Sequence, residues 1–283
     1  MKKIFALLLF GIMFAFTPSV WAASYNTSTN WFESKNVSHL NTIGQNIIKA
    51  NKMPSTVTFK VTDNQNMNSE STYTQTVYIY SGDLKYVEND NELAAVVAHE
   101  IGHLVNGHTA KSSIFDSVIS SVNPNTSTEN GSTTVSLLKT ISSNKVNKDN
   151  EKEADITAVD LLMTAGYNPL ALISVVYKSD ISETGGLLDS NLSCEERIMN
   201  IYDYANYNYP EKVKANYKTD SYQSALNLIY ANLKIRKADS KKLAKAKKEQ
   251  EKLQKEKLKR ARNMAKSTNP WSSAYSLMQV SGN

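Results

Sequence analysis

The sequence predicts an α+β fold, predominantly helical, with a small antiparallel sheet and a basic helical C-terminal extension. Three observations predict it. Apolar residues recur at three- and four-residue spacing in several segments, strict alternation is confined to two short segments before residue 81, and a lysine-rich run follows the last apolar helix.

The chain opens with MKKIFALLLFGIMFAFTPSVWA, which reads as a secretory signal peptide over residues 1–22: Lys2 and Lys3, an apolar core from Ile4 to Phe16, then small residues at Val20 and Ala22. That core is short for a bilayer span, and Pro18 suits a cleavage site better than an anchor. No cysteine stands there to accept a lipid. Every later long segment is interrupted by Lys, Asp, Glu or Asn, so the expected product is soluble and exported, periplasmic or otherwise extracytoplasmic. Its single cysteine, Cys194, excludes an intramolecular disulfide and reads as a small residue at a helix start.

A first helix is expected from about Ser38 to Ala50, where Leu40, Ile43, Ile47 and Ile48 share a face. Beyond Pro54, TVTFKVTD alternates through Val57, Phe59 and Val61, and YTQTVYIYSG follows a polar loop. These two strands suit an antiparallel hairpin or one small sheet. Asn89 and Glu92 form a capping-box pattern ahead of Leu93, Val96 and Val97, and Gly107 marks an end or weakening of that helix. Residues from about 112 to 150 turn rich in Ser, Thr and Asn and read as a flexible insertion, a candidate lid or gate. The next helix passes through NEKEADITAVDLLMTAG and stops at Ala165-Gly166. Asn168-Pro169 opens another, and Ser193 to Glu196 gives a second capping box, ahead of Arg197, Ile198 and Ile201.

Within the first capped helix lies His99-Glu100-Ile101-Gly102-His103. Residues four apart lie on one helical face, so both imidazoles can reach one metal ion, with Glu100 beside the open position. This is a zinc-hydrolase pattern that needs a third ligand. His39 reads as structural. His108, five residues beyond His103, is rotated off the ligand face of a regular helix, and Asn106 and Thr109 stand where the longer HExxHxxGxxH motif needs Gly and His, so His108 reads as structural or as a support behind a ligand. A carboxylate is the other option. Glu151 and Asp155 share a face, so one can bind metal while the other hydrogen-bonds a ligand imidazole; Glu153 is rotated toward solvent. The same acids would also suit an ordinary acidic first turn.

The order ELAAVVAHEIGHLVNGH, EKEAD, LLMTAGYNP and EERI closely resembles metallopeptidase family forty-eight, the gluzincin-type group of HtpX, BepA, Oma-type and CAAX prenyl proteases. The likeness covers about Ile43 to Tyr207. It implies a zincin-like metalloprotease domain with one Zn2+ on His99, His103 and Glu151, Glu100 as general base, and Asp155 as the aspartate of ExxxD. Arg197 matches the arginine of the ERI segment and is expected near the site as an orienting or charge-stabilising group. Two departures stand out. Asn191-Leu192 replaces a frequent His-Pro pair, and Lys145-Val146-Asn147-Lys148 replaces an arginine often found before the ExxxD glutamate.

From Lys234 to Lys266 the chain carries fifteen Lys or Arg against four Asp or Glu. The expected division is a signal peptide over 1–22, a peptidase domain over 23–210 and a Lys-rich helical extension over 211–283 with a disordered end. The extension reads as a solvated helix with Leu243, Leu253 and Leu258 inside, or as a dock for anionic membrane or envelope surfaces. Nucleic acid is disfavoured, because the tail's aromatics are confined to Trp271 and Tyr275. The expected function is an exported zinc endopeptidase acting on envelope or misfolded polypeptides, with TQTVYIYSG offering an edge to an extended substrate. The alternative is a non-catalytic, chaperone-like envelope module.

Overall fold

The computed structural model describes residues 36–54, 57–63, 76–108, 148–180 and 193–280. The signal peptide, the insertion up to residue 147, the Gly-Gly turn and Asn191-Leu192 lie outside them. The described residues are mostly helical with a two-stranded sheet, which fits the expected class.

Helix α1 (Asn36–Ala50) buries the expected Leu40, Ile43, Ile47 and Ile48. Its Gly44 lies against the Phe59 ring, where a Cβ would overlap the aromatic carbons. Strands β1 (Thr58–Thr62) and β2 (Thr76–Tyr80) pair in parallel, from Thr58 opposite Thr76 to Thr62 opposite Tyr80. The antiparallel expectation is therefore corrected. Residues 63–75 are long enough for a crossover, whereas an antiparallel pair needs only a tight turn. Phe59, Val77 and Ile79 point into the core. The outer edge of β1 is taken by α1: the Asn41 amide donates to Phe59 O at 3.2 Å and accepts from Phe59 N at 3.2 Å, and Gln45 donates to Val57 O at 2.6 Å.

The short helix α2 (Ser81–Leu84) links β2 to α3 (Asp90–Asn106), the central element, which packs against α1, β2 and two later helices. Asn89 caps α3, its side chain accepting from Glu92 N at 3.1 Å. The return half of the capping box is absent, because the fully buried Glu92 carboxylate is used elsewhere: it accepts from Glu88 N at 2.9 Å, Lys178 Nζ at 2.7 Å and Ser174 Oγ at 2.7 Å. At the other end Gly107 adopts φ 64°, a left-handed turn that an L side chain resists.

Helix α4 (148–165) begins inside the stretch read as insertion and ends at Gly166, φ 80°. Asn168 caps the next turn by accepting from Leu170 N at 3.0 Å, and α5 (Ala171–Asp180) follows. Ser193 accepts from Glu196 N at 3.2 Å to start α6 (Cys194–Asn208), as its sequence signature requires. Helix α7 (Pro210–Ala215) leads to α8 (Asp220–Ala238), which buries Tyr222, Ala225 and Ile229, so the core continues past residue 210.

Two expectations for the tail are corrected. In α9 (Ser240–Met264), Leu243 and Leu258 are half exposed while Ala261 and Met264 are buried, and the Leu253 side chain lies outside the described residues. The expected disordered end is instead α10 (Pro270–Val280), started by Asn269, which accepts from Trp271 N at 3.0 Å. Its Trp271 and Tyr275 are buried. Ser272 Oγ donates to Val105 O at 2.6 Å and Asn269 Nδ2 to Leu104 O at 2.9 Å, so α10 closes the C-terminal carbonyls of α3. Tyr275 also joins Tyr204 and Tyr209 in donating to the buried carboxylate of Asp160 on α4, at 2.6 to 2.9 Å. Among the described residues, no helix is long and apolar enough to cross a membrane.

Candidate metal centre

Gly102 decides how closely α3 and α4 approach. A Cβ there would stand 2.7 Å from Ala154 O and 3.1 Å from Ala154 Cα, so only glycine lets the two backbones touch. Around Gly102, which follows His99 by three residues and directly precedes His103, the histidines of α3 face the carboxylates of α4. His99 Nε2 lies 3.3 Å from Glu151 Oε2, His103 Nε2 lies 3.4 Å from Glu151 Oε1, and the two Nε2 atoms are 3.1 Å apart.

Two imidazole nitrogens with one carboxylate oxygen turned toward each suit a single tetrahedral ion. Zinc bonds of about 2.0–2.2 Å to nitrogen and oxygen place neighbouring ligand atoms roughly 3.3–3.5 Å apart. Among the described residues, His99, His103 and Glu151 are the group able to hold a metal ion. The charges agree: metal ligation needs both imidazoles deprotonated, and Glu151 and Asp155 then outnumber the cation Arg197, the same imbalance that raises the affinity of His99 for a proton.

Each imidazole is held from behind by a different device. His99 Nδ1 faces Asp155 Oδ1 at 3.0 Å, and Asp155 is gripped by Arg197, whose Nε and Nη2 donate at 3.0 and 2.7 Å. All three side chains are buried, and Arg197 Nη2 also lies 3.7 Å from Glu151. His103 Nδ1 lies 2.9 Å from His108 Nδ1, and His108 Nε2 lies 3.2 Å from Glu153 Oε2. His108 is buried and Glu153 about one third exposed. The readings of His108 as rotated away and of Glu153 as solvent-facing are corrected. The helix does not continue regularly through Gly107, whose left-handed turn carries the His108 ring back beside His103.

Protonation follows from these neighbours. Burial pulls the His99 imidazole down, but Asp155 and Glu151 outweigh it and hold its pKa up at about 10. Burial pushes His103 down to about 3, with His99 and His108 adding to the effect and Glu151 opposing it. Burial opposes charge on Glu151, yet His99, His103 and Arg197 keep it below the usual carboxylate range. Asp155 is likewise lowered against its burial, chiefly by Arg197 and His99. The carboxylates thus stay ionised.

The structure brings His99, His103, Glu151, Asp155 and Arg197 together, with Glu100 on the half-buried side of α3 next to His99. His39 is remote from this cluster in the sequence and meets Asp90 at 2.8 Å. Sequence reasoning missed Gly102, treated as a wildcard, and Glu153; His108 takes the supporting place behind a ligand that was one of its two readings, beside His103. The signal for that placement was Gly107, since a helical rotation angle loses meaning beyond a left-handed residue. Cys194 is buried at the start of α6, with its thiol 3.8 Å from Val176 O.

The model of the family described as Peptidase family M48 matches residues 34–219. Similar curated proteins include the metalloprotease LoiP of Escherichia coli K12, 30% identical over 173 residues, covering 58% of this chain and 66% of the relative. The metalloprotease YcaL of the same organism is 29% identical over 157 residues, covering 52% and 61%. The beta-barrel assembly-enhancing protease of Yersinia pestis is 31% identical over 74 residues, 26% of this chain and 15% of that protein. The chain thus matches less than two thirds of each relative's length. No solved structure matches the chain at comparable significance.

Proposed function

The chain belongs to peptidase family M48, and on that footing we propose that it is an exported, zinc-dependent endopeptidase acting on envelope or misfolded proteins. The observation that carries this reading is the convergence of His99 Nε2, His103 Nε2 and a Glu151 carboxylate oxygen, with Asp155 Oδ1 3.0 Å behind His99 Nδ1 and His108 Nδ1 2.9 Å behind His103 Nδ1. His99, His103 and Glu151 would hold one Zn2+ per chain. When bound, the ion supplies Lewis acidity, polarising a carbonyl and drawing the pKa of water toward about 7.

The chain's own residues do the rest. Glu100 takes the proton of the attacking water on its carboxylate and delivers it to the departing amine nitrogen. Asp155, fixed by the two-pronged grip of Arg197, keeps the His99 ring oriented; His108 and Glu153 do the same for His103. Among the described residues, α1 occupies the β1 side of the sheet and β2 forms the other side, leading through α2 into α3, which is where an extended substrate would join. The name of the Yersinia relative supports the envelope as the source of substrates.

The alternative is a binding or chaperone-like envelope module, and the intact Glu100 beside a complete donor set argues against it. The test is zinc content together with cleavage of an unfolded protein. Wild type is expected to carry one zinc and cleave, and Glu100→Gln to keep the zinc while losing at least about 10²-fold in rate. A wild-type protein that contains no zinc and cleaves nothing, yet binds unfolded clients, would establish the module instead. Amino-terminal sequencing of the exported protein checks cleavage after Ala22, with Ala23 expected first. Clients trapped by Glu100→Gln then identify the substrates.

A further inference from the structure

Helix α9 presents seven basic residues in one line. Lys241, Lys245, Lys248, Lys252, Lys255, Lys259 and Arg262 follow one another at alternating spacings of four and three, and every one is exposed. At 3.6 residues per turn this spacing keeps them on a single outward face, a row roughly 30 Å long. No acidic residue falls at a position in the row. The opposite face is turned to the protein: Ala261 and Met264 are buried, and Gln254 donates to Asn208 Oδ1 at 2.6 Å.

We propose that this row docks the protein on an anionic lipid surface. A straight row of charges meets a plane along its whole length, whereas a duplex phosphate path curves away from it. Six of the seven cations are lysines, compact point charges that suit the diffuse potential of a headgroup layer, and arginine's fork for single phosphates occurs once. The aromatics that follow the row in sequence, Trp271 and Tyr275, are buried against the body and offer no stacking platform.

The docked orientation is fixed relative to the metal centre. Helix α9 packs on α10, and α10 is bonded to the end of α3 through Ser272 and Asn269 and to α4 through Tyr275 and Asp160. A membrane held by α9 thus meets α3 and α4 in one pose, and proteins at that surface become the accessible substrates. Surface binding itself is independent of the proteolytic reading.

The test is co-sedimentation of the full exported chain with vesicles of phosphatidylcholine alone or with one third phosphatidylglycerol. Binding is expected only to the anionic vesicles and is expected to fall steeply between 50 and 500 mM salt, at roughly the Debye lengths where exposed charges become screened. The decisive variant exchanges neighbours at constant composition: Lys248→Glu with Glu249→Lys, and Glu251→Lys with Lys252→Glu. Net charge is unchanged and the row is broken, so vesicle binding is expected to drop by at least about tenfold, at a few-fold per displaced lysine. Circular dichroism and cleavage of a soluble unfolded protein should stay at the wild-type level, which shows that the exchange has not unfolded the chain. Equal binding by the exchanged protein, equal binding to neutral vesicles, or preference for an oligonucleotide over anionic vesicles would each overturn the proposal.

Discussion

His99 and His103 occupy successive turns of one helix and face one carboxylate, yet they are held by opposite means. Behind His99 stands a fully buried ion pair, Asp155 with Arg197, in which neither charge has water to turn to. Behind His103 stands a second imidazole that ends on Glu153 at the partly exposed edge of α4. The first support belongs to the fold, because removing one member strands a charge in the core. The second can be altered with the fold intact, so it tunes the centre without carrying the protein's stability.

Arg197→Ala should have the largest effect and tests the first half of that contrast. Leaving Asp155 buried without its partner is expected to cost about 3–5 kcal/mol, read by urea unfolding of chelator-treated protein. A loss under about 1 kcal/mol would erase the distinction. Gly102→Ala should come next, at about 1–3 kcal/mol, because the added methyl must push α3 away from Ala154; it acts on both supports alike and should weaken zinc binding too. His108→Ala is expected to lower zinc affinity about 10–100-fold in a chelator competition, while the urea midpoint of the metal-free protein moves little. Unchanged affinity would leave His103 without need of a support. Smallest should be Glu153→Gln, under about threefold, since the amide oxygen still accepts from His108 Nε2.

Much of the site was legible because its residues obey regular helical geometry. The spacing of His99 and His103, the shared face of Glu151 and Asp155, and the caps at Asn89 and Ser193 all follow from 3.6 residues per turn and the orphan donors at helix starts. The choice between Glu151 and Asp155 as ligand came from family resemblance, and the structure places Glu151 against both Nε2 atoms. What stayed hidden depended on breaks in that regularity. The contact of the His108 ring with His103 depends on the left-handed turn at Gly107, which regular helical rotation does not describe. The parallel direction of β1 against β2 is not written in the alternation of side chains, which is the same for either direction. Helix α10 carries the same Asn-Pro opening at Asn269-Pro270 that marked Asn168-Pro169, but the charge run before it drew the reading toward disorder.

The contact of Gly102 with Ala154 bears also on the kinetics of loading. Where two helices are spaced by side chains, their separation breathes with every rotamer change; here main chain rests on main chain, and the spacing inherits the stiffness of two hydrogen-bonded backbones. The donors therefore wait at their working separations, and capturing an ion demands little loss of conformational entropy. The rate of capture should then be governed by how fast the ion sheds its water, and the lifetime of the loaded state by how firmly His103 is held.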